Sequence, residues 1–140
     1  MTRLSSVADD REAIRELIAN YCYFADTGEV DRFVDLFTDD LVWDGGQYGD
    51  RHETKAGLHA MMSTVADGPY TTRHLTLNTI IALDGDEARA KSYIALVTGA
   101  DVAPTITIAG FYEDHIVKRG GRWLFKSRIV HADPTPLRAG

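Results

Sequence analysis

The stretch Thr71-Thr72-Arg73-His74-Leu75-Thr76-Leu77-Asn78-Thr79-Ile80-Ile81 alternates between two kinds of side chain. Its odd positions from Leu75 onward are mostly aliphatic, and its even positions before Ile80 carry hydroxyls, an amide and the imidazole of His74. A period of two predicts a β-strand with two unlike faces. The polar face either meets solvent or lines a cavity, and in the second case His74 is a candidate catalytic base.

Helical patterns dominate the chain before this strand. Residues 9–27 keep apolar side chains at helical spacing, begin with acids that suit a helix N-terminus, and stop at Gly28. Residues 30–37 predict a short second helix, and residues 54–65 predict a third helix with Thr54 as its N-cap. Between them, residues 41–44 predict a brief strand.

Four long strands are predicted from residue 71 onward, at residues 71–83, 87–98, 105–118 and 123–131, with glycine-containing turns between them. Helices followed by hairpin-connected strands are typical of an α+β domain. We expect a curved, mainly antiparallel sheet that carries the helices on its concave face. This arrangement leaves a pocket between the first helix and the sheet.

The chain of 140 residues is long enough for one domain with its own core. We expect a flexible N-terminal arm over residues 1–8, the domain over residues 9–133 and a tail over residues 134–140.

Charge and composition narrow the classes of partner. A net charge of −6 without a basic run argues against nucleic acid and against an anionic membrane surface. No apolar stretch approaches the ~20 residues of a membrane span, and no signal peptide is evident, so the cytoplasm is the expected location. The single cysteine, Cys22, excludes an internal disulfide, and the histidines lack metal-ligand spacing. We therefore expect no metal and no cofactor.

Asp26 lies at the edge of the apolar face of the first helix, near its C-terminal end. An acid is electrostatically disfavoured at that end, which hints at a role other than solvation. If the helix packs on the concave face, Asp26 and His74 can meet in the pocket.

Several segments together resemble the SnoaL-like branch of the nuclear-transport-factor-2-like superfamily, whose fold is a cone-shaped α+β domain. The resemblance covers residues 11–131 and rests on these segments: Tyr23-Phe24-Ala25-Asp26, Asp31-Arg32-Phe33, Thr72-Arg73-His74, Tyr112-Glu113-Asp114 and Gly121-Arg122-Trp123-Leu124-Phe125.

The resemblance implies an Asp–His dyad. Two members of the superfamily, scytalone dehydratase and hexachlorocyclohexane dehydrochlorinase, use such a dyad, and Asp26 and His74 are similar to its two positions. The dehydrochlorinase also has an arginine after the final aromatic segment, to which Arg128 is similar. Tyr21 stands where the dehydrochlorinase has a lysine, and the second histidine of scytalone dehydratase has no counterpart here.

Further substrate contacts are predicted from the elements around the pocket: Tyr21, Tyr23, Trp43, Tyr48, Asn78 and Arg128. Each aromatic residue is also compatible with an ordinary core position. Plain alternation along the last strand directs Arg128 outward, away from Trp123 and Phe125, so we expect a surface arginine unless a bulge turns it inward.

These features favour a cofactor-free lyase or isomerase, such as a dehydratase, a double-bond isomerase or a cyclase, acting on a small apolar carbonyl compound. An imidazole held by a carboxylate is suited to remove a proton from carbon next to a carbonyl. Two alternatives remain: a scaffold subunit of the ring-hydroxylating dioxygenase type and a small-molecule carrier. Apolar side chains on the outer sheet face predict a homo-oligomer, most simply a homodimer.

Overall fold

The structure is a computed structural model that describes residues 5–134 of the chain, apart from the side chain of Tyr48. The first half of the predicted arm over residues 1–8 and nearly all of the predicted tail over residues 134–140 lie outside this range. The elements in chain order are α1 (Val7–Thr27), α2 (Val30–Val34), β1 (Phe37–Asp44), a 3-10 turn (Gly46–Tyr48), β2 (Arg51–His52), α3 (Lys55–Ala66), β3 (Thr72–Asp84), β4 (Glu87–Thr98), β5 (Thr105–Arg119) and β6 (Arg122–Ala132).

Helix α1 begins two residues before the predicted start at Asp9 because Ser6 caps it. The Ser6 hydroxyl accepts from the Asp9 backbone N–H, and the Asp9 carboxylate accepts from the Ser6 backbone N–H, which forms a capping box. Gly28 ends the helix with a positive φ of 70°, as predicted. The predicted apolar stripe is buried: Ile14, Leu17, Ile18, Tyr21 and Ala25.

The second helix is shorter than the predicted segment 30–37, and the strand after it is longer than the predicted segment 41–44. Helix α2 ends at Val34, and Phe37 is already the first residue of β1. Phe37 pairs with Phe125 of β6, and their ring centroids lie 5.1 Å apart. This tertiary contact overrides the local helical pattern of the segment.

The six strands form one sheet in the order β2-β1-β6-β5-β4-β3. All neighbouring pairs are antiparallel except β1 and β6, which are parallel. Helix α1 packs on the inner face, where the Tyr21 ring lies 5.8 Å from both Tyr112 and Phe125. The predicted α+β architecture is therefore confirmed, and the four long strands lie within a residue or so of their predicted bounds.

Two β-bulges reverse the alternation that the sequence suggests. In β3, the two residues between Leu77 and Ile80 lie opposite the single residue Ser92 of β4, and Asn78 adopts a left-handed φ of 58°. In β6, Lys126 is the extra residue opposite the step from Ile116 to His115. Before a bulge, the inward-pointing side chains of a strand all have odd or all have even residue numbers. After the bulge, the inward-pointing side chains have residue numbers of the other kind.

Candidate active site

His74 and Asp26 are in direct contact. His74 Nδ1 lies 2.6 Å from Asp26 Oδ1, and the side chains are 16% and 8% exposed, respectively. A carboxylate can only accept, so in a neutral imidazole Nδ1 carries the proton and Nε2 keeps its lone pair. Within residues 5–134, Nε2 has no hydrogen-bond partner. In that tautomer the Nε2 lone pair is free to accept a proton, as a general base requires.

The position of Asp26 is fixed by strand β3 as much as by its own helix. Its carboxylate accepts from the His74 backbone N–H at 3.0 Å and from the Thr72 hydroxyl at 3.2 Å. Because β3 is an edge strand, this N–H has no partner strand on its outer side. Asp26 thus accepts the hydrogen bond of an N–H group at the edge of the sheet and also holds the imidazole of His74. These two contacts explain why an acid lies at the end of α1.

His74 borders a small cavity of about 100 Å³ on the inside of the sheet. The other lining residues are Tyr21, Trp43, Gly45, Ile94, Leu96, Ile108, Tyr112 and Val130. Two predicted substrate contacts, Tyr21 and Trp43, therefore lie beside His74. The ring of Tyr21 meets the ring of His74 edge-on at 6.2 Å.

The hydroxyl of Tyr21 has a hydrogen that is free to be donated. It accepts a hydrogen bond from Trp43 Nε1 at 3.0 Å and donates to no group in the described part of the chain. Burial raises the pKa of this phenol, and the nearby Arg128 guanidinium opposes the rise. The phenol therefore stays protonated at neutral pH, with its hydrogen available to a ligand.

His74 also borders a larger, mostly apolar groove of about 600 Å³ between α1 and β3. Asp26 and Tyr23 line this groove, and Tyr23 is 69% exposed. Tyr23 therefore lies at the outer groove and not at the inner cavity. His74 is the residue that the two spaces share.

Arg128 is buried, contrary to the surface position expected from plain alternation. The bulge at Lys126 turns its side chain inward, and its exposed fraction is 0%. Its Nε and Nη2 each donate to Asp114 at 2.8 Å in a bidentate pair. Arg128 is therefore occupied by an internal carboxylate that the sequence did not single out.

Aromatic rings enclose the Arg128 guanidinium. Its central carbon lies 3.7 Å from the ring centroid of Tyr112 and 4.2 Å from that of Tyr21. Nη1 is buried and lacks a hydrogen-bond partner among residues 5–134. The positive charge is thus held directly behind two tyrosines that line the inner cavity.

Asn78 does not join the cavity, although the sequence grouped it with His74. It is the left-handed residue of the β3 bulge, its side chain is exposed, and it lines neither space. The side chain of Tyr48 lies outside the described part of the structure. Tyr112 was missed because a tyrosine at an inward strand position looks like any core aromatic residue.

Residues 5–134 contain no group of three or more histidines, cysteines, aspartates or glutamates that could hold a metal ion. Over the same range, no helix is long and apolar enough to cross a membrane.

Many solved structures have a similar fold. Three of them are the D26N form of Rv3472, a protein of unknown function from Mycobacterium tuberculosis (24% identity, 90% of this chain and 77% of that chain covered, TM-score 0.83); a proposed scytalone dehydratase from Novosphingobium aromaticivorans (20%, 93% and 90%, 0.77); and the beta subunit of a proposed aromatic-ring-hydroxylating dioxygenase from the same species (23%, 94% and 94%, 0.79). At these identities the likeness shows the fold alone.

Among curated proteins, none matches this sequence significantly. The sequence profile of the SnoaL-like domain, by contrast, matches residues 6–129, which include both members of the Asp–His pair and nearly the whole sheet. The chain therefore belongs to the SnoaL-like domain family.

Proposed function

We propose that this protein is a lyase or isomerase that removes a proton from carbon next to a carbonyl group, using only its own side chains. The observation that carries the proposal is the Asp26–His74 contact, which leaves Nε2 without a partner in residues 5–134, on a histidine that lines the same cavity as Tyr21. The roles are general base for His74, orienting group for Asp26 and hydrogen-bond donor for Tyr21.

In the first step His74 Nε2 accepts the proton, and the electrons of the broken C–H bond form the carbon–carbon double bond of an enolate. The Tyr21 hydroxyl donates to the enolate oxygen. In an elimination, the enolate electrons expel hydroxide from the next carbon, and the imidazolium proton converts it to water. In an isomerisation, the imidazolium returns the proton to a different carbon of the same molecule.

Arg128 supports the negative charge of the intermediate from behind Tyr21. Burial raises the pKa of Tyr21, and the Arg128 guanidinium, whose central carbon lies 4.2 Å from the Tyr21 ring centroid, opposes that rise. The same field favours partial negative charge on an oxygen that Tyr21 holds. Arg128 is thus a positioning and electrostatic residue in this proposal, not a direct anchor of substrate.

The test uses β-tetralone, an apolar aromatic ketone with acidic protons next to its carbonyl. In D₂O, NMR follows the exchange of those protons for deuterium. We expect the protein to accelerate exchange and His74→Ala to lose at least about 100-fold of that acceleration. His59→Ala is the matched control, because His59 contacts Asp31 on the surface at 3.0 Å and lines neither His74 space.

If His74→Ala exchanges β-tetralone as fast as the unaltered protein, the catalytic role is wrong. A folded protein that binds β-tetralone beside His74 and leaves its protons untouched is a carrier. A protein that neither binds nor exchanges it favours the scaffold alternative, to which the fold of the dioxygenase beta subunit is similar.

We also expect a homo-oligomer that covers the outer face of the sheet. Leu77 of β3 lies directly across from Tyr93 of β4, and these side chains are 51% and 55% exposed. Ile80 and Ile106 add exposed apolar surface. Sedimentation that finds a monomer at micromolar concentration contradicts this expectation.

A further inference from the structure

The groove between α1 and β3 exceeds what the proposed reaction of a small ketone requires. The inner cavity, at about 100 Å³, is smaller than the engineered cavity of about 150 Å³ that admits benzene. A substrate with more than one ring or a short chain therefore extends past His74. The groove of about 600 Å³ begins at the same histidine and offers that space.

The groove has a length and a direction. Arg15 and Asp26 both line it and lie eleven residues apart on α1, which corresponds to about 16 Å along the helix axis. Cys22 contacts Thr76, Asp26 contacts His74, and Arg11 contacts the carbonyl of Ile81, so α1 and β3 run in opposite directions. Arg15 thus marks the end that is farthest from His74.

The charge of the groove is opposite to that of the whole protein. The chain carries a net charge of −6, yet the charged residues that line the groove are Arg15, Arg73 and Asp26. Asp26 is already engaged with His74 and Thr72, and Arg73 donates to the backbone carbonyl of Thr72 at 2.7 Å. Arg15 makes no hydrogen bond or ion pair with any group in residues 5–134.

The floor between the two ends is apolar. It is formed by Ile18, Ala19 and Cys22 of α1, and Leu75 and Leu77 of β3 form its rim. The pattern is a reactive imidazole, an apolar channel and an unpaired guanidinium. It matches an elongated molecule with a carbonyl at one end, a hydrocarbon body and an anionic group at the other end.

The geometry points to an elongated apolar carboxylate as the substrate class, with its carboxylate at Arg15 and its carbonyl carbon at His74. This inference rests on the proposed function, because it gives a direction to the substrate of that site. Arg15 is a specificity-determining residue in it. Arg15 recognises the far end of the molecule and takes no part in proton transfer.

Binding of dodecanoate, dodecan-1-ol and butanoate tests the inference without any turnover. Calorimetry gives affinities, and amide NMR shifts locate the ligand. We expect dodecanoate to bind more tightly than the alcohol of equal length and than butanoate, with shifts along residues 15–26 and 73–79. Each added methylene that becomes buried strengthens binding by about two- to fourfold.

Three variants separate charge from shape. Arg15→Gln is expected to weaken dodecanoate about three- to fivefold and to leave dodecan-1-ol unchanged, as for an exposed ion pair. Arg89→Gln is the control, because it removes the same charge from an exposed position that does not line the groove. Ala19→Trp, at an exposed helix position, fills the floor and is expected to block both long ligands.

Equal affinity for the acid and the alcohol, or equal effects of Arg15→Gln and Arg89→Gln, overturns the inference. Ligand-induced shifts that centre on Leu96 and Ile108, at the other side of the inner cavity, also overturn it. Failure here is distinct from failure of the proposed function. β-Tetralone exchange does not need Arg15, and dodecanoate binding is expected to persist in His74→Ala.

Discussion

Two acid–base pairs lie on the inner side of this sheet, and they differ in what they leave free. Asp26 and His74 are partly exposed, and the second ring nitrogen of His74 has no partner in residues 5–134. Asp114 and Arg128 are fully buried, joined by two hydrogen bonds and enclosed by aromatic rings. The first pair has an unused proton acceptor beside a cavity, whereas the second pair is closed to ligands.

The difference follows from the chemistry of the two cations. A guanidinium stays charged, so burying it requires a carboxylate and leaves no basic lone pair. An imidazole can be neutral, so it can lie at a cavity with one nitrogen bonded and the other free. The comparison teaches that the Asp–Arg pair has no free basic atom, while the partly exposed Asp–His pair keeps one ring nitrogen free for the proton transfer that we propose.

The largest effect on stability is expected when the Asp114–Arg128 pair is broken. Asp114→Asn leaves the Arg128 charge without its partner at a site with 0% exposure. We expect a loss of about 3–5 kcal/mol in the free energy of unfolding, measured by urea denaturation.

Glu113→Gln is the control for Asp114→Asn, because the neighbouring Glu113 is exposed and its contact with His131 lies at the surface. A smaller loss is expected when Asp114→Leu is combined with Arg128→Met, since no charge then remains buried. If Asp114→Asn costs no more than Glu113→Gln, the contrast between the two pairs is wrong.

Breaking the Asp26–His74 pair is expected to affect the rate of proton exchange more than the stability of the fold. Asp26→Asn removes the acceptor that fixes the His74 tautomer, so β-tetralone exchange is expected to fall about 100-fold. The loss in unfolding free energy is expected to be about 1–2 kcal/mol, because two weaker hydrogen bonds also change. Imidazole nitrogen NMR shifts report the tautomer directly.

Asp31→Asn is the matched control for Asp26→Asn, since Asp31 contacts His59 in an exposed Asp–His pair. Exchange that survives Asp26→Asn, with an unchanged tautomer at His74, contradicts the role given to Asp26.

Removing the Tyr21 hydroxyl is expected to have a smaller effect. Tyr21→Phe keeps the ring beside Arg128 and deletes the donor, so exchange is expected to fall about tenfold. Because burial raises the pKa of Tyr21, the phenol keeps its proton as the pH rises, and its ionisation is not expected to reduce exchange below about pH 10. Exchange by Tyr21→Phe at the rate of the unaltered protein removes Tyr21 from the mechanism.

Reaction with a small reagent tests how accessible the groove between α1 and β3 is. Cys22 lines the groove but is only 7% exposed, and burial raises the pKa of its thiol. We expect iodoacetamide to alkylate Cys22 at least about tenfold more slowly in the folded protein than in urea, because less thiolate is present and access is limited. Equal rates, measured by mass spectrometry, indicate that α1 opens readily from β3.

Local sequence patterns predicted much of this fold because helices, helix ends and hairpin turns depend on residues that are close in sequence. The stripe on α1, the stop at Gly28 and the hairpin turns depend on spacing and on residue type, and each lies where the sequence places it. The order of elements allowed a contact between Asp26 and His74, and the superfamily resemblance singled out these two residues. The apolar face of α1 must pack on the sheet, and that packing brings the edge of the face to β3.

The bulges were not predictable in the same way. Asn78 and Lys126 have neighbours that suit a regular strand, and only pairing with β4 and β5 decides where an extra residue is inserted. Those two insertions carried Asn78 away from the cavity and turned Arg128 into the core. They also brought Arg128 to Asp114, a partner fourteen residues away in sequence and adjacent only across a strand pair.

The sequence by itself therefore determined the order of helices and strands and the superfamily resemblance, and it singled out Asp26 and His74, the two side chains that are in contact. Only the tertiary structure decided which side of each long strand faces inward, which acid neutralises Arg128, and that His74 separates a small cavity from a long groove. The physical reason is that side-chain direction in a strand has a period of two, so one inserted residue reverses every later position, and cross-strand pairing alone sets where the insertion falls.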